Sequence, residues 1–485
     1  MQGVKAVTQE RFNNFINGEW LGSAERVANI NPSDTTDVLG EYAQATAEQG
    51  RAAVAAAVTG QQAWQATGLE HRYKVLMAIG DELIARSEEL GDQLSREEGK
   101  PIAEGRGEVY RSGQFFHYFA AEVLRQVGDT ADSVRPGIEV ETRREPMGAV
   151  VVITPWNFPM ATAAWKIAPA LAFGNSVVFK PANLVPASAV SLTEIISRQD
   201  LPPGTFNLVM GSGAEVGEAL ITSPDIDAIT FTGSLQTGRH IAMAAAANLT
   251  KFQLEMGSKN ALVVLDDADL DIAADCAVNG AFFGSGQKCT ASSRLIVTAA
   301  VHDQFVEKVC ERMAQLQLGH ALDKTTQIGP VVDASQLAQN RKYLELATSE
   351  GAQLVCGGEI DDSKGFYMQP ALFVNSTNDM TINRDEVFGP IACVIKVADY
   401  EQALATLNDT QYGLTAGIVT RSLQEATHFK RNAKTGCVMI NLPTAGTDYH
   451  VPFGGRKSSS FGSREQGQYA VEFYTEIKTT YTRSA

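Results

Sequence analysis

Several things are scarce in this chain, and each scarcity removes a class of protein. No apolar run is long enough and free enough of charge to span a bilayer as a helix. The opening Met1-Gln2-Gly3-Val4-Lys5-Ala6-Val7 has no apolar core of the kind a signal peptide needs, so export is not expected. Cysteine is sparse: Cys276, Cys289, Cys310, Cys356, Cys393 and Cys437 are scattered without close pairs. That spacing argues against a disulfide framework and against a zinc site, so no metal is expected and a reducing cytoplasm is the expected compartment. Positive charge is also short, with 40 Lys and Arg against 56 Asp and Glu and a net charge of −16. Such a surface repels phosphate backbones, so a nucleic-acid partner is excluded, and an anionic ligand needs a local basic pocket. Low-complexity tracts, internal repeats and polybasic tails are missing as well.

What is present fits a globular protein of two or three domains: 485 residues, 44% apolar and 20% charged. Phe15-Ile16-Asn17-Gly18-Glu19-Trp20 has the Asn-Gly signature of a hairpin. Helices are expected over about 47–66, over 69–98 with Val75, Leu76, Ile79, Leu83 and Leu90 on one face, and over about 104–127, which carries Phe115, Phe116, Tyr118 and Phe119. From Met147 onward, short apolar strands (Ala149–Ile153, Ser176–Phe179, Thr205–Val209, Ala228–Phe231, Ala261–Leu265) alternate with helices. That alternation predicts α/β architecture with parallel sheets covered on both faces. Gly137–Arg144 and Phe473–Thr482 alternate apolar and polar residues, as half-exposed strands do.

Chemistry concentrates at strand ends, where open α/β sheets bind ligands. Thr154-Pro155-Trp156-Asn157-Phe158-Pro159 follows the strand Ala149–Ile153. Its prolines hold Asn157, whose amide could donate to a developing oxyanion; a turn asparagine is the plainer alternative. Phe179-Lys180-Pro181 ends the next strand, and Lys180 could hold a ribose hydroxyl or phosphate or stand in solvent. Gly211-Ser212-Gly213-Ala214-Glu215-Val216-Gly217 and Phe231-Thr232-Gly233-Ser234 are strand-to-helix turns whose glycines let a backbone approach a pyrophosphate. Leu254-Glu255-Met256-Gly257-Ser258-Lys259 sets one carboxylate in an apolar surround, where burial would make it a general base; a salt bridge with Lys259 is the alternative. In Glu386-Val387-Phe388-Gly389-Pro390 the acid could bond a ribose. The centre of the pattern is Gly284-Ser285-Gly286-Gln287-Lys288-Cys289-Thr290-Ala291-Ser292-Ser293. Small residues there leave room around one thiol, and Lys288 or a nearby helix N-terminus would favour its thiolate. A small buried hydrophobe is the alternative for Cys289.

Taken together, the motifs T-P-W-N-F-P, F-K-P-A, F-T-G-S, L-E-M-G-S-K, G-Q-K-C, E-V-F-G-P and P-F-G-G-R-K-S-S resemble those of the aldehyde dehydrogenase superfamily, in family order over nearly the whole chain. The resemblance implies an aldehyde dehydrogenase-like fold: a Rossmann-type dinucleotide-binding domain (1–126 and 146–254), an α/β catalytic domain (255–445) and oligomerisation strands (127–145 and 471–485). It implies NAD(P)-dependent oxidation of an aldehyde, with Cys289 as nucleophile, Glu255 as general base, Asn157 in the oxyanion hole and Lys166 near the active site. Thr154, Pro155, Trp156, Lys180, Asn183, Gly213, Gly217, Phe231, Gly233, Ser234, Glu386 and Phe388 would seat NAD or NADP. Asn183 stands where NAD-preferring relatives often carry a glutamate, so a 2′-phosphate would meet no repulsion there. A homodimer or homotetramer is implied.

Within the superfamily, the stretches around Cys289 and around Phe453 look most like α-ketoglutaric semialdehyde dehydrogenases. Succinic or glutaric semialdehyde dehydrogenase and a broad-specificity enzyme are the alternatives. A carboxylate-bearing aldehyde needs a cation, preferably an arginine. Arg111 is the first candidate, with Phe158, Thr290 and Phe453 as further substrate contacts; Arg294 and Lys288 are weaker candidates. Acylating relatives that pass a thioester to coenzyme A lack the general-base glutamate, so Glu255 argues against that chemistry. A catalytically silent protein on the same fold predicts loss of Cys289 or Glu255, and both are present. A thiol hydrolase would want a histidine partner, and none of the seven histidines falls in a suitable motif.

Overall fold

The computed structural model describes residues 12–483. Residues 1–11 and 484–485, included in the expected dinucleotide-binding and oligomerisation segments, lie outside the described residues. An eight-stranded sheet runs in the order Glu19–Leu21, Asn14–Ile16, Phe206–Leu208, Ser176–Lys180, Ala149–Ile153, Ala228–Thr232, Lys251–Glu255, Ser460–Phe461. The strands from Phe206–Leu208 through Lys251–Glu255 pair in parallel, and their near-continuous Val, Ile and Phe content reflects burial on both faces. The Asn-Gly hairpin forms with both turn residues left-handed, Asn17 at φ 53 and Gly18 at φ 86, as a type I′ turn demands.

A seven-stranded sheet follows, in the order Gln353–Cys356, Ala371–Ser376, Ile391–Val397, Ser292–Thr298, Asn260–Val264, Thr415–Val419, Cys437–Ile440. Only its first pair is antiparallel. A third, three-stranded sheet pairs Ile138–Pro146 with both Asp129–Asp132 and Thr475–Arg483. This is the strand pairing expected for the alternating segments, except that Phe473 and Tyr474 are buried in a short helix, Val471–Tyr474, ahead of the strand.

Two local expectations need correction. The helix expected over 69–98 is two helices, Leu69–Ala85 and Ser87–Glu98, divided at Arg86 (φ −101, ψ 14). Leu83, Leu90 and Leu94 enter one core across the break, so apolar periodicity carries no sign of it. The turn at Gly213–Gly217 does not open a long helix. It forms a single wide turn capped by Ser212, followed by the four-residue helix Glu218–Ile221. Ser234, by contrast, caps the fourteen-residue helix Leu235–Asn248 by accepting from the Thr237 N–H at 3.3 Å.

The two large sheets meet through a short connection. Strand Lys251–Glu255 ends the parallel part of the first sheet, and Met256–Lys259 leads directly into strand Asn260–Val264 of the second. Glu255 therefore stands at a carboxyl-terminal strand end and faces the amino-terminal ends of the second sheet. Cys289 is held there too, three residues before strand Ser292–Thr298.

Candidate active site

The loop before Cys289 is possible because Gly284 (φ 63), Ser285 (φ 53) and Gly286 (φ 65) are left-handed in succession. A Cβ on Gly286 would lie 2.2 Å from the Gly389 carbonyl oxygen, so only glycine fits. The backbone at Cys289 is fixed from outside. The Cys289 carbonyl accepts from Ser258 Oγ at 2.5 Å and from Asn260 Nδ2 at 2.8 Å. Thr444 Oγ1 donates to the Thr290 carbonyl at 2.7 Å.

Cys289 is partly buried and opens onto two cavities, of about 340 and 540 Å³. Phe158, Trp165 and Phe453 wall both. The smaller cavity brings together Asn157, Glu255, Pro155, Trp156, Gly233, Ser234, Glu386 and Phe388. The larger one adds Arg111, Phe115 and Thr290. Residues predicted from segments as distant as Asn157, Glu255 and Glu386 thus share one space with the thiol.

Burial, with Glu255 and Glu386 nearby, pushes the Cys289 thiol up to about 12. The lysine expected to favour its thiolate does not do so, because Lys288 is paired with Glu104 at 3.1 Å. Asn157 is buried, and its Nδ2 donates to the Gln287 carbonyl at 2.9 Å, which orients the amide in the cavity wall. Glu255 is 3% exposed, and burial pushes its carboxyl up to about 8, with Glu465 adding to the shift. Its Oε2 accepts from Ser460 Oγ at 2.7 Å, while Oε1 has no hydrogen-bond partner among the described residues. The partner is therefore Ser460, not Lys259. Gly454 (φ 148) makes room for that free oxygen, since a Cβ there would sit 2.9 Å from Oε1.

Lys166 does not reach either cavity. It is fully buried, donates to Thr230 Oγ1 at 2.9 Å and is ion-paired with Glu465. That pair lies close enough to Glu255 for Lys166 to favour its charged form and Glu465 to oppose it. Arg294 is likewise committed elsewhere, donating to the carbonyls of Lys259, Thr406 and Leu407 and to Asn378. Phe231 is buried beneath the turn, with its ring 2.5 Å from where a Gly233 Cβ would stand, so it shapes the cavity floor without lining it. Thr154 is buried behind the wall; Asn183 and Gly213 are exposed outside the cavity.

Sequence reasoning missed the support behind Asn157. Buried Lys100 donates to the Asn157 carbonyl at 2.6 Å, pairs with Glu108 at 2.7 Å, and stands 4.2 Å over the Phe158 ring. Glu108 in turn accepts from the Met160 and Ala161 N–H groups at 3.0 and 3.1 Å. In the sequence Lys100 stands only as the middle of Gly99-Lys100-Pro101, directly after the helix expected over 69–98. Lys100→Met leaves Glu98 and Glu108 buried without their cation, which costs about 3–5 kcal/mol. A lowered urea midpoint, together with a fall in kcat, is the expected result; an unchanged midpoint would show that the lysine is dispensable.

The residues beside the smaller cavity fit a dinucleotide. Lys180 is 7% exposed and, among the described residues, has no acidic partner and donates only to the Pro181 carbonyl at 3.2 Å. Burial pushes it down to about 8, so an acceptor from a ligand would restore lost stabilisation. Glu386 accepts from the Ser258 N–H at 2.7 Å, and a Cβ on Gly257 would meet its carboxylate at 2.5 Å, so bare backbone forms the cradle around it. Trp156 and Phe388 stand edge to face at 5.4 Å on the same wall.

The pattern of the aldehyde dehydrogenase family matches residues 20–480. The chain belongs to that family. As an aldehyde dehydrogenase it is an oxidoreductase that uses NAD or NADP. It is 41% identical to the α-ketoglutaric semialdehyde dehydrogenase of Bacillus subtilis (strain 168) over 481 residues, covering 98% of this chain and 99% of that one. A crystal structure of betaine aldehyde dehydrogenase from Staphylococcus aureus in complex with NAD+ matches this aldehyde dehydrogenase with a TM-score of 0.95 at 33% identity, covering 98% and 95% of the two chains. An NADP-dependent enzyme of E. coli matches with a TM-score of 0.95 at 34% identity, covering 98% of each chain. No helix among the described residues is long and apolar enough to cross a membrane.

Proposed function

We propose that this aldehyde dehydrogenase oxidises a carboxylate-bearing aldehyde, of which α-ketoglutaric semialdehyde is the best match. The observation that carries the substrate class is the charge balance of the larger cavity. Its acids are spent, Glu104 on Lys288 and Glu108 on Lys100. Arg111 has no carboxylate partner among the described residues: its guanidinium donates to the Thr447 carbonyl at 3.1 Å and lies 5.5 Å from the Tyr449 ring centre. A cavity whose uncompensated charge is an arginine favours an anionic end and opposes a quaternary ammonium such as betaine aldehyde. The name of the B. subtilis relative agrees with this.

In this reading the Cys289 thiol gives up its proton to solvent, the thiolate sulfur adds to the aldehyde carbon, and the oxyanion is met by Asn157 Nδ2 and the Cys289 N–H. Bound dinucleotide supplies the acceptor for the hydride that leaves that carbon. Lys180 and Glu386 would hold its ribose hydroxyls, with Trp156, Phe388 and Ser234 seating it. Cys289 is left as a thioester. Glu255, in its charged form, takes a proton from water that attacks the thioester, and the acid departs. Lys166, through Glu465, tunes and positions Glu255 without touching substrate. The strands Ile138–Pro146 and Thr475–Arg483, with Ile477 and Tyr481 exposed, would serve a homo-oligomer, and the cytoplasm is the compartment that suits six unpaired cysteines.

The test is a panel of initial rates with α-ketoglutaric, succinic and glutaric semialdehydes against neutral aldehydes, each with NAD and NADP. Semialdehydes should lead in kcat/KM. Arg111→Ala should lower their kcat/KM about 10–100-fold, the worth of a charge-assisted hydrogen bond, and leave pentanal within a few-fold. Equal losses on both would reject Arg111 as the clamp, and a lead for neutral aldehydes would reject the substrate class.

A further inference from the structure

One residue in the wall of the larger cavity has no part in the chemistry above. Gln466 lines that cavity and is 1% exposed, yet its Oε1 has no hydrogen-bond partner among the described residues. A buried amide oxygen left bare is unfavourable, and an apolar side chain of the same size would avoid the loss. The position is also tightly set. Gln466 (φ 61) and Gly467 (φ 56) are left-handed in succession, and Glu465 is bridged to Phe453 by N–H to carbonyl bonds of 2.9 and 2.7 Å. The backbone at Gln466 is thereby held next to Phe453, which walls both cavities beside Cys289.

A chain of rings orders the cavity from there outward. Phe453 lies 5.9 Å from Trp165, Trp165 lies 5.9 Å from Phe115, and Phe115 lies 6.3 Å from Tyr449, over which Arg111 sits. Gln466 and Arg111 line this one cavity together with Cys289, so a linear aldehyde held between Cys289 and Arg111 lies in a space whose wall includes Gln466.

We propose that Gln466 is a specificity-determining residue that hydrogen-bonds a second oxygen function of the substrate, the oxo group of a 2-oxo acid whose carboxylate is taken by Arg111. The terminal amide can present either face, and a half-turn about its last bond puts the NH₂ where the bare oxygen lies, so it can donate to a ketone. This deepens, and rests on, the reading of a carboxylate-bearing aldehyde, and it separates α-ketoglutaric semialdehyde from glutaric semialdehyde, which has a methylene in place of the ketone.

The experiment crosses one atom change in the substrate with one side-chain change in the protein. Wild type should favour α-ketoglutaric over glutaric semialdehyde by about 10-fold in kcat/KM, the worth of one buried hydrogen bond. Gln466→Met should erase that preference while leaving the glutaric semialdehyde and pentanal values within about 3-fold. A preference that survives in Gln466→Met, or equal losses on all three aldehydes, overturns the assignment and leaves a packing role. If Gln466→Met does not fold, the wild-type comparison still decides, because the absence of an oxo preference overturns the assignment by itself. Glutaric semialdehyde used no better than pentanal would sink the carboxylate reading, and the proposal with it, whatever Gln466→Met does.

Discussion

Cys289→Ala loses aldehyde oxidation by on the order of 10⁶-fold, the scale seen when a covalent nucleophile is removed, with the affinity for NAD or NADP retained. Initial rates of reduced-cofactor formation measure the first quantity and cofactor-fluorescence titration the second. The groups that would hold the dinucleotide are Glu386, Trp156 and Phe388 in the cavity wall together with buried Lys180, none of which depends on the sulfur, so the two readouts should separate. A related result is expected for the unmodified protein. With the thiol pushed up to about 12 by burial and by Glu255 and Glu386, almost none is thiolate at neutral pH in the free enzyme. Alkylation of Cys289 should then accelerate about tenfold per pH unit across the neutral range, tracking the thiolate fraction. A rate that is already flat at neutral pH would mean that the resting group is thiolate, and residual turnover near wild type in Cys289→Ala would remove it from the chemistry altogether.

Glu255→Gln should separate the two halves of the reaction. Formation of the thioester keeps its nucleophile and oxyanion donors, while hydrolysis loses its base, an effect of about 10²–10⁴-fold. A rapid burst of reduced cofactor approaching one equivalent per subunit, followed by slow turnover, is the expected trace. The pH dependence follows from the same carboxyl. Only the deprotonated form can accept a proton from water, and burial with Glu465 alongside raises this group to about 8. Hydrolysis-limited turnover should therefore rise with pH up to about 8 and level above it, and the limb should vanish in Glu255→Gln. A limb that persists belongs to another group, and a variant without a burst would place Glu255 in the first half-reaction.

Much of the site could be read from the chain because its residues stand at strand ends, where local pattern is strongest. Asn157, Glu255 and Cys289 were each marked by an apolar strand beside a run of small or rigid residues, and the structure brings them to one cavity. What was not legible depends on partners far along the chain. Lys166 was expected near the active site from the resemblance alone, and the acid it pairs with lies 299 residues away. Lys288 looked like an activator of the thiol until Glu104 appeared beside it. Lys100 reaches the Asn157 carbonyl across 57 residues, and no motif connects the two. The break at Arg86 was silent for a different reason, since Leu83, Leu90 and Leu94 keep helical spacing through it. Periodicity reports which face is apolar, not whether one axis continues.

The edge strand Ser460–Phe461 carries a consequence for how the enzyme comes into being on the ribosome. Glu255 takes its serine partner from 205 residues further along, through the antiparallel pairing of Glu255 with Ser460. Glu465, which the Lys166 amine needs, and the strand that pairs with Ile138–Pro146 come later still. Both reacting side chains therefore leave the exit tunnel well before the segment that seats one of them. A nascent chain holds Cys289 and Glu255 as unaligned groups until Ser460 has followed them. Pairings across such distances form slowly, because loop closure must precede the contacts that reward it. Catalytic competence thus waits on the pairing of Ser460 with Glu255, and a fragment cut short before Ser460 carries both side chains without the means to aim them.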